Sequence, residues 1–352
     1  MPTSPSLLER ENVAPAQAPD PSQHILQFAT AYVPCSALWV AAELKVADLI
    51  GAGEKPVAEL AKKTKTNEDA LFRILRLLAM VGIFTETEPR HFALTPPAEL
   101  LRSDHPQSMR DTVVWLADPF HYKIAAELLH SVRTGQPTIE HVTGKPVFEY
   151  LGANEVEAGR FHLAMTNLSA MAVSAALEAY DFAGCKTIVD VGGGHGFAIC
   201  SILKKYPEMQ GVLFDLKDIV PGADQRIREL GLEKRCRTEH GDFFKAVPEG
   251  GDVYFMKHIL HDWTDEQSTT ILRNCRRAFG GRKGKIVLLE FVVPPGNEPH
   301  PSKVIDIEML FFPGGRERME QEWRDLFAGA GFRLTRIVPT KSPFSVIEAE
   351  VA

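Results

Sequence analysis

The feature that most constrains the fold is a regular alternation of strand-like and helix-like segments from Thr187 to the C-terminus. The strand-like segments are, in chain order, TIVDVG, GVLFDL, CRTEHGD, DVYFMKHI, KIVLLEFVV, FRLTRIV and FSVIEA. Helix-like stretches separate most of them, so this order predicts an α/β fold with a doubly wound, mostly parallel sheet. Only a short Pro-containing loop separates the last two segments, and it cannot form a helical crossover. We therefore expect these two to form an antiparallel pair at the sheet edge.

The N-terminal half is mostly helical. Residues 24–50 have the pattern of a helix whose apolar side chains cover nearly the whole circumference, which indicates burial on several sides or a contact between subunits. Shorter helices are predicted at Lys55–Lys63 and at Asn67–Val81, the second with an Asn cap. Two extended pieces follow, at Ile83–Glu86 and His91–Thr95. Helix, helix and hairpin is the order of a winged-helix module.

Length and charge exclude some classes of protein. A chain of 352 residues is long enough for two domains, and a net charge of −7 disfavours nucleic acid as a partner. No apolar stretch reaches the length of about 18 residues that suggests a membrane span, so we expect no membrane partner. Residues 1–22 are polar, rich in Pro and Ala, and without the apolar core of a signal peptide. They are predicted to be a disordered tail.

The cysteines point to a reducing compartment. There are five of them, an odd number, with no CxxC pair and no zinc-ligand spacing with histidine. We expect reduced thiols in a cytoplasmic protein, without a metal site.

The strongest local motif is DVGGGHG, which runs from Asp190 to Gly196 between a strand and a helix. Gly192 and Gly194 let the backbone approach a ligand without a Cβ clash. The spacing alone would also suit a dinucleotide. However, Asp190 directly before the glycines would repel a pyrophosphate, whereas it can reach the amino-acid part of S-adenosylmethionine. S-adenosylmethionine is therefore favoured over a nicotinamide cofactor.

The ends of the next two strands carry further acids. Asp215 and Leu216 end the second strand, where the carboxylate can accept from two ribose hydroxyls. Asp242 and Phe243 follow the third strand, where a carboxylate can accept from the adenine amino group and an aromatic ring can flank it. Ligands of open α/β sheets bind at this edge.

The motif KHILHDW, residues 257–263, ends the fourth strand. Together with DVGGGHG, VLFDL, GDFF, LLE and GGRER in this order, and with the winged-helix-like start, it resembles the caffeate-type and hydroxyindole-type O-methyltransferases of plants, fungi and bacteria. The resemblance covers about residues 24–352. It implies a Rossmann-like, S-adenosylmethionine-binding methyltransferase sheet with an antiparallel last strand, a winged-helix dimerisation domain, and a homodimer formed through that domain.

The segment order and the resemblance together divide the chain into four regions. After the tail, residues 23–106 are expected to be the winged-helix-like dimerisation domain. Residues 107–180 should form a helical linker and pocket helices, broken by a loop near Gly135–Pro146. Residues 181–352 should form the catalytic domain that binds S-adenosylmethionine.

The resemblance also implies the catalytic residues. His261 matches the general base, and Glu290 and Glu317 match the two acids that flank it. Lys257 matches a residue that helps hold the cofactor. His258 is expected to be structural, because strand alternation would point it away from the base if the strand extends that far.

The same resemblance places the substrate ring among Phe161, Met165 and Met309. One departure concerns the segment from Met309 to Gly314, which looks one residue shorter than in many plant relatives. Phe311 and Phe312 stand there in place of polar residues. We therefore expect Phe312 to make that wall of the pocket more apolar, and a phenylpropanoid acceptor cannot be assumed.

Elementary chemistry agrees with these roles. A phenol has a pKa of about 10, so its deprotonation at pH 7 requires roughly 4 kcal/mol. Imidazole titrates near neutrality and can accept that proton, and a carboxylate on its other nitrogen fixes the tautomer. The methyl donor carries its own positive charge, so no metal is needed.

Other readings remain as alternatives. A methyltransferase fold can carry a non-methylating activity, although the intact set of His261, Glu290 and Glu317 argues against this. A ligand-responsive, DNA-binding winged helix would need a basic recognition helix, yet the helix at 67–81 begins with Asn67-Glu68-Asp69. The acceptor itself stays open between a phenol, a hydroxyindole, a phenazine, a polyketide and a carboxylate.

Overall fold

A computed structural model describes residues 20–352 of the chain. The disordered tail expected at residues 1–22 therefore lies outside the described residues, except for its last three positions. Asp20 accepts a hydrogen bond from the Ser22 N–H at 2.7 Å and caps a helix that begins at Pro21. This helix begins before the expected end of the tail, because a capping carboxylate and a proline in the first turn initiate it.

The secondary structure follows the chain in this order. The helices are α1 Pro21–Ala29, α2 Tyr32–Glu43, α3 Val46–Ile50, α4 Val57–Thr64, α5 Glu68–Met80, α6 Pro96–Glu99, α7 Arg110–Leu116, α8 Pro119–Ala125, α9 Leu128–Thr134, α10 Thr138–Thr143, α11 Val147–Gly152, α12 Glu155–Ala179, α13 Phe197–Lys205, α14 Val220–Glu229, α15 Asp265–Ala278, α16 Ser302–Phe311 and α17 Glu320–Gly329. The strands are β1 Glu54–Pro56, β2 Phe84–Glu88, β3 His91–Leu94, β4 Thr187–Val191, β5 Gln210–Asp215, β6 Cys236–His240, β7 Val253–Lys257, β8 Lys285–Glu290, β9 Phe332–Pro339 and β10 Ser345–Val351. A 3₁₀ turn covers Leu260–Asp262.

The long N-terminal helix predicted for residues 24–50 is wrong in detail, because this segment forms the three helices α1, α2 and α3. One break follows the C-cap at Thr30, and the other lies at Lys45, whose φ of 53° is left-handed. An uninterrupted apolar pattern cannot reveal such a residue. No single helix in the described part of the chain could cross a membrane; α1 and α2 meet the length and composition criteria only as a pair bent by 42°.

The winged-helix order is confirmed. Asn67 caps α5 by accepting from the Ala70 N–H at 2.9 Å. β2 and β3 form the hairpin, and β1 pairs with β3 to complete a three-stranded sheet. Because Glu54–Pro56 is a strand, α4 begins at Val57 and not at Lys55 as predicted.

Two further helices differ from expectation. The loop expected near Gly135–Pro146 contains α10, and α16 ends at Phe311, directly before Phe312. Both are short or weakly amphipathic, so their periodicity is faint in the sequence. The 25-residue helix α12 packs against α7 and connects this helical region to the sheet.

The large sheet confirms the predicted fold class. Its strand order is β6-β5-β4-β7-β8-β10-β9. The first five strands are parallel, and β10 is antiparallel to both β8 and β9, so the expected edge pair is present. The parallel arrangement brings the carboxyl ends of β4 to β8 to one edge.

Two apolar cores cover the two faces of this sheet. Along β4, Ile188 belongs to the core that contains α12 and α13, whereas Val189 and Val191 belong to the core that contains α15 and α17. Burial on both faces explains why these strands read as continuous apolar runs. Packing on both faces therefore holds the strand ends, and the residues that follow them, in defined positions at this edge of the sheet.

Candidate functional site

The glycine loop joins β4 to α13 at the carboxyl edge of the sheet. Gly192 and Gly194 have φ values of 71° and 56°, which other residues rarely adopt. Gly193 has no room for a side chain, because a Cβ there would lie 2.8 Å from Leu213. α13 begins at Phe197, so the loop leads into a helix N-terminus, as in other nucleotide-binding turns.

Asp190 lies directly before this loop and is 1% exposed. Its Oδ2 has no hydrogen-bond partner among residues 20–352. Burial raises the pKa of Asp190 to about 7, against the opposing charge of Lys257. Since buried carboxylate oxygens are nearly always partnered, this atom is suited to accept from a ligand such as the ammonium group of S-adenosylmethionine.

Asp215 stands beside the loop at the end of β5. Its carboxylate accepts the Gly194 N–H and the Leu216 N–H, both at 2.7 Å, and burial raises its pKa. Leu216 is 57% exposed, so an apolar surface is left uncovered at this edge. The Gly241 N–H donates to the carbonyl of Asp215 at 3.0 Å, which brings the Asp242 segment next to it.

Asp242 is partly exposed, and its Oδ1 accepts the Phe244 N–H at 2.9 Å. The ring of Phe243 packs edge-on against Trp263 at 5.9 Å between centroids. The structure thus brings the acids of three successive strands to one edge. Their roles in binding a cofactor stay predictions.

His261 lies in the 3₁₀ turn after β7 and is 8% exposed. Its Nδ1 is 2.8 Å from Oε1 of Glu317 and 4.0 Å from Oε2 of Glu290. Because an ionised carboxylate can only accept, Nδ1 carries the proton and Nε2 is the nitrogen left to act as a base. Nε2 has Asp262 as a neighbour, at 3.5 Å.

The two acids are fixed by different elements. Glu290 ends β8, and its Oε1 accepts the N–H groups of Ile259 and Leu260 at 2.9 and 3.1 Å. Glu317 lies in the loop after α16, and its N–H donates to Asp306 at 2.8 Å. Glu290 therefore orders the turn that carries His261, while Glu317 contacts the imidazole itself.

The charges of this group are coupled. Burial lowers the pKa of His261, but Glu290, Asp262 and Glu317 outweigh it and raise the pKa to about 10. Burial raises the pKa of Glu290 to about 7 and that of Asp262 to about 6, and His261 opposes both shifts. The residues therefore share protons as one cluster. A histidine pKa close to that of a phenol makes proton transfer between the two nearly balanced in free energy.

Lys257 connects the two halves of the site. It ends β7, and burial lowers its pKa although Glu290, Asp190 and Asp262 act to raise it. The residue therefore interacts electrostatically with the glycine-loop acid and with the His261 group. This position is consistent with the cofactor role that the resemblance implies.

Arg318 is a residue of the site that sequence reasoning missed. It is fully buried, and its guanidinium donates to the carbonyls of Leu260 and Trp263 at 2.8 and 2.9 Å. The neighbouring Arg316 N–H donates to the His261 carbonyl at 2.8 Å. The loop approaches so closely because Gly315 has no Cβ, which would lie 1.9 Å from that carbonyl. The GGRER motif is the signal that could have indicated both contacts.

The condition for pointing His258 away from the base is not met, because the strand does not extend to it. β7 ends at Lys257, and His258 has a left-handed φ of 52°. Strand alternation therefore does not apply, and the His258 ring lies 5.3 Å from the His261 ring. It is buried against Phe344, at 4.4 Å between centroids, and burial holds its pKa well below the usual range.

An aromatic group contains three of the four expected substrate residues. Phe161, Met165 and Phe312 all pack with Trp115 in one apolar cluster. The Trp115 ring lies 5.5 Å from Phe161 and 5.8 Å from Phe312. Met309 is partly buried on α16 but is not a member of this cluster.

Two domain families match the chain. Residues 125–333 match the O-methyltransferase domain, and residues 26–104 match the O-methyltransferase dimerisation domain. The first match contains every strand end of the candidate site. The second contains the winged-helix module and the C-terminal part of α1, residues 26–29.

Individual relatives are similar over nearly the full length. The chain is 43% identical over 329 residues to phenazine O-methyltransferase PhzM of Lysobacter antibioticus, covering 93% of this chain and 96% of that protein. It is 35% identical over 305 residues to aclacinomycin 10-hydroxylase RdmB of Streptomyces purpurascens, covering 85% and 81%. Its structure also matches that of an O-methyltransferase from neocarzinostatin biosynthesis in complex with S-adenosylmethionine and 2-hydroxy-5-methyl naphthoic acid. The TM-score is 0.77 and the sequence identity 33%, and the match covers 91% of this chain and 96% of that one.

Proposed function

Because the chain belongs to the O-methyltransferase family and is an S-adenosylmethionine-dependent O-methyltransferase, we propose that it methylates a hydroxyl of a small aromatic molecule with His261 as general base. The observation that carries the proposal is the buried 2.8 Å contact between His261 Nδ1 and Glu317 Oε1. This pair lies at the sheet edge that also holds the glycine loop. A base and a methyl-donor site at one edge are what methyl transfer to oxygen requires.

The residues at the glycine loop fit S-adenosylmethionine. Among the described residues the buried Oδ2 of Asp190 lacks a hydrogen-bond partner, the loop has no side chains at Gly192 to Gly194, and Leu216 offers an exposed apolar side chain. Asp190 would hold the amino-acid end, and Asp215 the ribose hydroxyls. When bound, S-adenosylmethionine supplies a methyl group on a positively charged sulfur.

His261 and its acids would perform the proton transfer. Nε2 accepts the hydroxyl proton as the acceptor oxygen becomes nucleophilic. Glu317 holds Nδ1–H and stabilises the imidazolium that forms, and Glu290 fixes the turn through the Ile259 and Leu260 N–H groups. The remaining acceleration comes from alignment of the reacting atoms.

An aromatic acceptor is supported by the apolar wall of Trp115, Phe161, Met165 and Phe312. The relatives named above are described as acting on a phenazine, and as binding a naphthoic acid. Flat, fused aromatic acceptors suit a wall of edge-on rings. Within this class the individual acceptor stays open.

No metal is part of the proposed mechanism. His261, Glu290 and Glu317 each present one ligand atom within 4.8 Å of the others, a spacing that a metal ion could also use. However, the nitrogen of His261 that faces both acids is Nδ1, and it donates to Glu317 Oε1. A metal-bound Nδ1 would lose that proton, so we propose that the set works as a base with its two acids.

We propose a homodimer formed through the N-terminal helices. The apolar side chains of Ile25, Leu26 and Phe28 in α1 are 68%, 60% and 70% exposed. A continuous exposed apolar face of this kind marks an interface, and the matched dimerisation domain agrees. The five free thiols are consistent with the reducing cytoplasm as the proposed location.

The test is calorimetric titration with S-adenosylmethionine, followed by incubation with a mixed panel of hydroxylated aromatics in the presence and absence of a chelator. The proposal predicts cofactor binding and chelator-insensitive formation of methyl ethers, identified by mass spectrometry. Products that gain an oxygen atom would instead indicate chemistry of the hydroxylase relative. Loss of activity with the chelator, restored by a divalent cation, would contradict the metal-free mechanism.

A further inference from the structure

A group of buried and half-buried polar side chains lies between α8 and α12, outside the site described above. It consists of Asp118, His121, Glu157 and Arg160, here called the α8–α12 polar cluster. Asp118 is 0% exposed and caps α8 by accepting the His121 N–H at 2.7 Å. Its Oδ1 also lies 3.2 Å from Nδ1 of His121, which orients that ring.

The charges of the α8–α12 polar cluster are incompletely paired. Oδ2 of Asp118 and Oε2 of Glu157 are buried and have no hydrogen-bond partner within residues 20–352. Arg160 approaches Asp118 at 3.7 Å, Glu157 at 3.6 Å and Glu43 at 3.8 Å. All three are ion-pair distances, longer than a hydrogen bond. One guanidinium is thus surrounded by three carboxylates, and two buried oxygens remain free to accept.

The cluster is continuous with the aromatic wall proposed for the acceptor. The His121 ring stacks on Phe312 with 4.8 Å between centroids and an angle of 7°. Its edge meets Trp115 at 4.6 Å, and Trp115 in turn meets Phe161 at 5.5 Å. Phe161 follows Arg160 directly on α12. His121 therefore joins the cluster to the aromatic wall, since it contacts Asp118 on one side and Phe312 and Trp115 on the other.

The carboxylates of the α8–α12 polar cluster and the aromatic rings beside them favour a positively charged group over a negatively charged one. An excess of carboxylates around a buried one repels another carboxylate and attracts a group that donates hydrogen bonds. Aromatic faces beside it favour the same kind of group, because a cation is attracted to a ring face. We propose that the α8–α12 polar cluster is an acceptor subsite for an amino group or a protonated ring nitrogen. The proposal rests on the proposed function, since it concerns the acceptor of that reaction.

The experiment compares acceptors that differ only in charge. Regioisomeric hydroxynaphthalenes carrying either an aminomethyl group or a carboxylate at the same ring position are the probes. kcat and KM are measured for both members of each pair, and their binding is measured by calorimetry in the presence of S-adenosylhomocysteine. The variants are Asp118→Asn, which keeps a good helix cap, and Glu157→Gln. The matched control is Glu155→Gln, an exposed residue in the first turn of α12.

We expect the wild type to favour the amine in kcat/KM by at least about tenfold, since a like charge at a buried subsite is strongly disfavoured. Asp118→Asn and Glu157→Gln should each lower this preference about tenfold by raising KM for the amine, with kcat and cofactor binding unchanged. Glu155→Gln should keep the wild-type preference.

Three results would overturn the subsite. One is a wild type that methylates phenols without preferring the amine. Another is a kcat/KM preference for the amine that is the same in the wild type and in all variants. The third is a change of kcat/KM in the variants that is equal for the amine and the carboxylate probe. The first of these leaves the proposed function standing. A wild type that binds the cofactor and methylates no phenol would remove the proposed function, and the subsite with it.

Discussion

Replacing Glu317 by Gln removes the charge that contacts the imidazole while keeping the size of the side chain. The bond between His261 Nδ1 and Glu317 Oε1 is 2.8 Å long and buried. A hydrogen bond to a charged group contributes about 1.5–3 kcal/mol. At about 1.4 kcal/mol per pKa unit, its loss should lower the pKa of His261 by about one to two units.

The sign of the pH effect follows from the role of a base. The neutral form of His261 is the active one, and its pKa is raised to about 10 in the folded protein. The wild-type rate should therefore rise with pH over the neutral and moderately alkaline range. In the variant the rate should level off at a pH about one to two units lower than in the wild type. The level reached should be about 10- to 100-fold lower, because the weaker base also loses control of its tautomer.

The assay is kcat as a function of pH at saturating cofactor, with Glu320→Gln as the matched control. Glu320 is exposed, lies three residues further on and begins α17. The control should keep the wild-type profile, and both variants should bind S-adenosylhomocysteine as the wild type does. A Glu317→Gln enzyme with the wild-type rate and midpoint would refute the reasoning.

Three further outcomes are expected. Asp190→Asn should weaken S-adenosylmethionine binding about tenfold or more in calorimetry, since the buried carboxylate loses its charge-assisted bond to the ligand; unchanged affinity would contradict its role. Arg318→Lys should lower kcat about tenfold and leave KM for the cofactor unchanged, because an ammonium cannot span the carbonyls of Leu260 and Trp263. A wild-type kcat would show that these two bonds of Arg318 are dispensable. Burial acts to raise the pKa of Glu348, but bonds from Arg336 and neighbouring groups lower it to about 2. Its stabilising contribution is therefore present above pH 4.5 and is lost as the pH falls through about 2. Glu348→Gln should reduce the free energy of unfolding by about 1–3 kcal/mol at pH 7 and by less at pH 3 in urea titrations; an equal loss at both would contradict the assignment.

Much of the site was predictable because parallel strands end at one edge. Asp190, Asp215, His261 and Glu290 each follow or end a strand that the alternation of segments reveals, so their proximity follows from the fold. Glu317 is different, since it lies in a loop after α16 and only the family resemblance points to it. The hydrogen bond between His261 and Glu317 joins the turn after β7 to the loop after α16, and no local sequence pattern relates these two segments.

Other features depend on contacts that no local pattern contains. The left-handed backbone at Lys45 and His258 breaks a helix and a strand that the apolar periodicity would continue. Arg318 lies in the GGRER motif, but the motif alone does not reveal that its side chain is fully buried and donates to the carbonyls of Leu260 and Trp263. Met309 was expected beside the substrate ring on resemblance alone; it lies on α16 and is not a member of the Trp115 cluster, so its role stays a prediction.

The most direct test of the central claim is the single-turnover rate of methyl transfer in His261→Ala, measured beside its dissociation constant for S-adenosylmethionine. If His261 is the general base, the rate at pH 7.5 should fall by about 10²- to 10⁴-fold while cofactor affinity stays within about twofold of the wild type. A variant that transfers the methyl group at close to the wild-type rate would show that another group, or solvent, removes the acceptor's proton.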